Sequence, residues 1–138
     1  MQNPDLVEDY LRRSKARLKA IQVLMDEKSW ADVVRESQEV IELCLKALIR
    51  HVGIESPRVH DVSPILNRER SRFSEPALSA TDRMIEISKE SRRDRELSFY
   101  GSEDLTPSAF YTEKDAKKAF DSAHEILEIV ERTIFKAP

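Results

Sequence analysis

The chain has 138 residues and a formal net charge of -3, and its 36% of charged residues accompany only 2 Gly and 6 Pro. This composition favours helix over strand, and the length is sufficient for a core without metal or disulfide support, so we expect a single domain over residues 1–138. The slight negative charge argues against a general nucleic-acid coat or a polybasic membrane binder.

Two amphipathic helices are predicted at the start of the chain. The first begins at residues 3–5, where a capping Asn precedes a Pro and an Asp. Its buried stripe recurs in steps of four and three: Val7, Leu11, Ser14, Leu18, Ile21 and Met25. The second begins at Ser29, with Asp32 as a short capping-box partner, and ends at Gly53 in left-handed geometry. The short polar link between the two helices predicts an antiparallel hairpin.

The middle of the chain has weaker helical signals. Residues 54–60 read as a turn, and Ser63 with Pro64 starts a short third helix that runs to about Ser71. A second start signal lies at residues 74–76, followed by a weak stripe towards Arg93. The pattern does not distinguish two helices over residues 63–93 from one bent helix.

The segment from Leu97 to Tyr111 breaks the helical pattern, although it holds four of the nine aromatic residues of the chain. A solvated linker is not this aromatic, so we expect an ordered connection, held by its rings for packing or for function. The last helix starts at Thr112, with Asp115 in its capping box. The residues therefore predict an all-α fold with four main helices and a short extra helix.

Several kinds of site are excluded by what the sequence lacks. It has no glycine-rich phosphate loop and no closely spaced histidine pair, so we expect neither a metal site nor a cofactor. Cys44 is the one cysteine, and its apolar neighbours favour a buried core thiol over a reactive nucleophile. No apolar run approaches the roughly 18 residues that a membrane span needs. The free thiol and the lack of a signal-peptide pattern predict a cytoplasmic protein.

Two groups of polar residues remain as candidates for binding. Gln38, Glu42 and Lys46 share one face of the second helix, either as an exposed ion pair or as the lining of a groove beside His60. His60 itself either is a turn residue that caps the third helix or bonds the backbone, or it binds an anion. The second group leads into an aromatic pair and either holds phosphate or a base, or forms a salt-bridged helix end: Arg92, Arg93, Arg95 and Glu96, followed by Phe99 and Tyr100.

The order and spacing of these motifs carry a resemblance to a known family. The motifs are Gln38, the run ELCLKAL at 42–48, Gly53, His60 with Asp61 ahead of Ile65 and Leu66, the tripeptide FYG at 99–101 and YTEKDA at 111–116. Together they span residues 6–134, and they resemble the HEPN domains (higher eukaryotes and prokaryotes nucleotide-binding), in particular short stand-alone prokaryotic members.

The resemblance implies an up-and-down bundle that is usually a homodimer. It also implies frequent pairing with a separate minimal nucleotidyltransferase in toxin-antitoxin or related defence modules. Many members of the family are metal-independent ribonucleases whose signature is an arginine, four to six residues, and then a histidine.

This sequence departs from that signature. None of the three histidines, His51, His60 and His124, has an arginine five to seven residues earlier. In the late region Arg95 is followed five residues on by Tyr100, which is a poor general base near neutral pH.

Three functions are therefore open. The leading hypothesis is a non-catalytic module that binds a nucleotide or RNA phosphate or docks a nucleotidyltransferase. The competing hypothesis is a divergent metal-independent ribonuclease that uses Arg93 or Arg95 with Tyr100 or His60, and the third is a purely structural partner protein. The candidate ligand-binding residues are Glu42, Lys46, His60, Arg92, Arg93, Arg95 and Tyr100.

Overall fold

The computed structural model describes residues 4–55, 58–100 and 106–135, with every side chain in these ranges except those of residues 4 and 93–100. The helices are α1 (Pro4–Asp26), α2 (Trp30–His51), α3 (Ser63–Arg68), α4 (Thr81–Tyr100), α5 (Pro107–Phe110) and α6 (Glu113–Ile134), with a 3-10 turn at Arg70–Arg72. The four long helices form an all-α, up-and-down antiparallel bundle, which confirms the predicted fold class. Within the described ranges, no helix is both long and apolar enough to cross a membrane.

Helix α2 lies at the centre of the bundle, because α1, α4 and α6 all pack against it. Its fully buried side chains include Val33, Val40, Leu45, Leu48 and Ile49. Burying one such side chain contributes about 1.5–3 kcal/mol, so these contacts are a main source of stability. Cys44 lies in the same core, and burial raises its pKa to about 12, which confirms the predicted buried thiol.

The end of α2 has the geometry that the sequence predicts. Gly53 has a φ of 88°, in the left-handed region that a side chain disfavours. Its N–H donates to Arg50 O at 2.9 Å, and the N–H of Ile54 donates to Ile49 O at 3.2 Å. This pair of bonds is a Schellman motif, which satisfies two carbonyls that the helix end would otherwise leave exposed.

The predicted capping box at the start of α2 is wrong. Ser29 precedes the helix but makes no side-chain cap hydrogen bond, and its hydroxyl instead donates to Asp32 Oδ2 at 2.6 Å. Its backbone, with φ -88° and ψ 70°, is not in the extended conformation that typically aims a capping oxygen at the first turn. Lys28, with a φ of 59°, makes the tight link that leaves Ser29 in this conformation.

Residues 63–93 form separate helices rather than one bent helix. Helix α3 ends at Arg68 and continues only as the 3-10 turn, so the predicted helix to about Ser71 is close to the observed structure. The second predicted start, at residues 74–76, is wrong, because residues 75–80 form a turn and α4 begins at Thr81. The Glu75 carboxylate accepts the N–H of Ser79 at 2.7 Å, and this local bond stabilises the turn in place of a helix.

The predicted break at residues 97–111 is also partly wrong, since α4 continues through Tyr100. Residues 101–105 lie outside the described ranges, and the chain re-enters them just before the short helix α5. Of the aromatic residues of this segment, Tyr111 is buried whereas Phe110 is 37% exposed. The side chains of Phe99 and Tyr100 lie outside the description, so their predicted packing remains a prediction.

Helix α6 begins as the sequence predicts. Thr112 Oγ1 accepts the N–H of Asp115 at 3.3 Å, and the N–H of Thr112 donates to Asp115 Oδ2 at 2.9 Å. This reciprocal capping box satisfies two backbone groups and fixes where α6 starts. It also fixes Tyr111, which immediately precedes it, against the bundle.

Candidate functional site

Glu42 is the centre of a cluster of ionisable side chains on α2. Its Oε2 accepts a hydrogen bond from Lys46 Nζ at 2.9 Å, and its Oε1 lies 2.8 Å from His60 Nδ1. The side chains of Lys46 and Glu42 are only 16% and 18% exposed, so this is not the open surface pair that the spacing also permitted. Both carboxylate oxygens are therefore engaged, one by each basic partner.

His60 reaches this cluster from the loop that precedes α3. Because a carboxylate only accepts hydrogen bonds, the His60 ring donates through Nδ1, and Nε2 remains for another partner. The side chain is 53% exposed, so this second nitrogen is accessible to a ligand. The alternative that His60 caps α3 is wrong, since the neighbouring aspartate makes that contact.

Asp61 links the loop that carries His60 to α3 and α4 by hydrogen bonds. Its Oδ1 accepts hydrogen bonds from the N–H of Ser63 at 2.9 Å, from the Ser63 hydroxyl, and from Ser88 Oγ on α4 at 2.9 Å. Burial alone would raise the pKa of Asp61, but these bonds and the charge of Arg92 outweigh it, so the pKa is lowered from 3.8. Asp61 was named above only as part of the family resemblance and not as a candidate site residue, although an aspartate two residues before a serine is a typical turn signal.

A small cleft joins these groups to α4. It is lined by Gln38, Ile41, Glu42, His60, Ser88, Ser91 and Arg92. Arg92 is exposed and follows Ser88 by one helical turn, which places both on the same side of α4. Two helices and one loop thus bring a guanidinium, an imidazole and a lysine-paired carboxylate to one place.

A larger cleft of about 190 Å³ adjoins the small one and shares Gln38, Ile41 and Ser91 with it. It lies between α2, α4 and the segment where α5 leads into α6. Its rim carries an ion pair of 3.7 Å between Lys118 and Glu90. We call the two clefts together the α2–α4 groove.

The α2–α4 groove contains some of the residues that the sequence predicts and adds others. Glu42 contacts both Lys46 and His60, and Glu42, His60 and Arg92 line the small cleft. Arg93, Arg95 and Tyr100 lie in the last two turns of α4, and their side chains lie outside the described part of the chain. Ser88, Ser91 and Phe110 were not among the candidate binding residues, because only tertiary packing brings them to α2.

The charges of the small cleft are nearly balanced. Lys46 and Arg92 carry two positive charges, Glu42 and Asp61 carry two negative ones, and a proton on His60 adds one more positive charge. In the described residues no group of three or more His, Cys, Asp and Glu side chains is arranged to hold a metal ion. The side chains of the small cleft can provide hydrogen bonds, proton transfer by His60 and charge stabilisation by Arg92.

Comparison with known proteins gives one match. A family model described as "HEPN domain" matches residues 7–133 of the chain. No curated protein and no solved structure matches this chain.

The lowered pKa of Asp61 gives a pH-dependent prediction. Asp61→Asn should lower the free energy of unfolding by roughly 1 kcal/mol near neutral pH, because a carboxylate is a better acceptor than an amide. The pKa of Asp61 in the folded protein lies below 3.8. Its contribution to the free energy of unfolding is therefore complete above pH 3.8 and is lost as the pH falls through the pKa of the folded state. Urea unfolding of both proteins across this range should show the two stabilities converging in acid.

Asp82→Asn is the matched control for this experiment, because Asp82 is 86% exposed and its ion pair with Arg70 lies on the surface. It should change stability little at any pH. If the free energy of unfolding of Asp61→Asn stays below that of the parent protein by the same amount in acid, the difference does not come from the ionised Asp61 carboxylate.

Proposed function

This chain belongs to the HEPN domain family, and from that membership and the α2–α4 groove we propose that it is a non-catalytic module that binds the phosphate of a nucleotide or RNA. The observation that carries the proposal is the meeting of Lys46, His60 and Arg92, from two helices and a loop, beside one cleft. Clusters of basic side chains recognise phosphate because each one donates hydrogen bonds to the phosphate oxygens and offsets the negative charge of the phosphate.

The roles of the three basic groups differ. Arg92 is exposed, and its planar guanidinium can donate two parallel hydrogen bonds to a phosphate. His60 adds a donor through Nε2 when it is protonated, since Nδ1 is already held by Glu42. Lys46 is bound to Glu42, so its main effect is to neutralise the carboxylate that would otherwise repel the anion.

Removal of Arg92 tests this proposal. Arg92→Ala should weaken the binding of nucleoside monophosphates and short single-stranded RNA about tenfold, since it deletes a charged hydrogen bond, and it should reduce the dependence of binding on salt. Calorimetry for nucleotides and fluorescence anisotropy for RNA measure both effects. Arg13→Ala is the matched control, because Arg13 is exposed on α1 and lines neither cleft. Equal losses for both variants, or no binding by the parent protein, would refute the proposal.

A second candidate function, a divergent ribonuclease, is favoured by the contact between Glu42 and His60. A carboxylate that holds Nδ1 fixes the tautomer in which Nε2 can take a proton from a ribose hydroxyl. Arg92 borders the same cleft, where a guanidinium can stabilise charge that develops on phosphate. In this ribonuclease hypothesis Arg92 takes the place of Arg93 or Arg95, and His60 is the general base rather than Tyr100.

Under the ribonuclease alternative, the purified protein should cleave single-stranded RNA without added metal. His60→Ala should reduce the cleavage rate by a factor of 100 or more, roughly the range for loss of a general base. His124→Ala is the control, because this exposed histidine of α6 lines neither cleft of the groove. Cleavage that survives His60→Ala unchanged would show that any activity arises elsewhere.

We also propose that the module acts as a homodimer with a minimal nucleotidyltransferase, in a toxin-antitoxin-like system. The support is family membership, since HEPN domains often dimerise. Light scattering at micromolar concentration should give twice the mass of the chain, and a nucleotidyltransferase encoded beside it should co-purify with it. A strict monomer would contradict the first expectation, and the absence of co-purification would contradict the second.

A further inference from the structure

The larger cleft of the α2–α4 groove has a different lining from the small cleft, which is the proposed phosphate site. We propose that it binds the base of the nucleotide unit whose phosphate lies at His60 and Arg92, an inference that rests on the proposed function. The ligand chemistry is then one planar, aromatic base joined through ribose to one phosphate, whether it is a free nucleotide or part of a single-stranded RNA.

The walls of the larger cleft suit a flat aromatic group. Val34, Ile41, Ile87 and Ala119 give it an apolar lining. Phe110 borders the cleft with 37% of its surface exposed, and its ring contacts Tyr111 edge to face at a centroid distance of 4.9 Å. A ring held in this way is a platform on which a base can stack, and stacking on aromatic rings is how bases are commonly bound. An inorganic anion gains nothing comparable from these side chains.

Polar groups in the same cleft can contact the edge of a base. Ser122 and Gln38 are 8% and 5% exposed, and together a hydroxyl and an amide offer both donors and acceptors. The charged groups that border the cleft are Glu90, Asp115 and Lys118. Asp115 is engaged in the capping box of α6, and Glu90 is paired with Lys118. The cleft therefore has apolar side chains along its wall and polar groups at a few points, and its two acids and one base leave a formal charge of -1 on carboxylates that are already hydrogen-bonded or paired.

The spacing between the two clefts fits a single nucleotide unit. Gln38 precedes Glu42 by one turn of α2, which is about 6 Å along the helix axis at 1.5 Å per residue. The clefts share Gln38, Ile41 and Ser91, so they lie side by side. A base beside Gln38 and a phosphate beside His60 thus belong to neighbouring positions of one ligand.

The test compares a ligand with a base and a ligand without one. Calorimetric titration of the full chain should give adenosine monophosphate a dissociation constant about tenfold or more below that of ribose 5-phosphate. Phe110→Ala should weaken adenosine monophosphate about tenfold and leave ribose 5-phosphate unchanged, whereas Arg92→Ala should weaken both. Phe135→Ala is the matched control, since this phenylalanine is 51% exposed at the end of α6 and lies outside the groove.

The outcomes separate this inference from the proposed function. If ribose 5-phosphate binds as tightly as adenosine monophosphate and Arg92→Ala weakens both, the phosphate site stands and the base site is refuted. If neither ligand binds, both proposals fail. A 5′-phosphorylated single-stranded RNA that binds more tightly than the free nucleotide, with the same loss in Phe110→Ala, supports the base site and identifies RNA as the source of the nucleotide. Ser122→Ala, which removes a hydroxyl with little change in volume, should weaken adenosine monophosphate alone.

Discussion

The burial of α2 among three other helices is the constraint on which the rest of the structure depends. With α1, α4 and α6 packed against it, most of its circumference must be apolar, since an unpaired polar group in the core costs about 1–3 kcal/mol. One row of polar side chains on α2 reaches the seam with α4, and it consists of Gln38, Glu42 and Lys46. The position of the α2–α4 groove is thus a consequence of how the bundle packs.

The two carboxylates beside this seam have different tasks. Asp61 ties the loop to α3 through Ser63 and to α4 through Ser88, and these contacts fix where the preceding residue lies. Glu42 then meets His60 from the side of α2 and determines which ring nitrogen is available. The imidazole is consequently held from two directions, by the backbone that Asp61 fixes and by the hydrogen bond to Glu42. Such support from neighbouring residues is what a binding or catalytic histidine needs.

The parts of the fold that the sequence predicts are those whose signals are local. The stripes of α1 and α2, the left-handed Gly53 and the capping box of Thr112 and Asp115 depend on residues within a few positions of one another. The start of α4 was wrong because a side-chain bond from Glu75 favours a turn over the helix that its sequence also permits. The continuation of α4 to Tyr100 was missed because aromatic residues are compatible with both loop and helix.

In the candidate site, too, the contacts that the sequence predicts are those between residues close together in the chain. Glu42 and Lys46 share a helical face, so their pairing is readable from spacing, whereas the contact of Glu42 with His60 depends on a loop whose path no local signal gives. The approach of Arg92 to His60 spans more than thirty positions and depends on how α3 and α4 pack. Phe110 could be predicted only as one of the rings of residues 97–111, since its exposure at the groove is decided by tertiary structure.

The balance of charge in the small cleft limits what electrostatics alone can do there. Two carboxylates beside Lys46 and Arg92 leave little net attraction for an anion, and salt screens what remains at the exposed Arg92. A phosphate held only by this cleft would bind weakly and with little selectivity, because a neutral cluster does not draw anions from a distance. Affinity must then come from contacts that need no net charge, and the aromatic and apolar walls of the adjoining cleft offer them. The same neutrality disfavours long polyanions that bind by charge alone, so the groove is better suited to one nucleotide unit recognised at both of its ends.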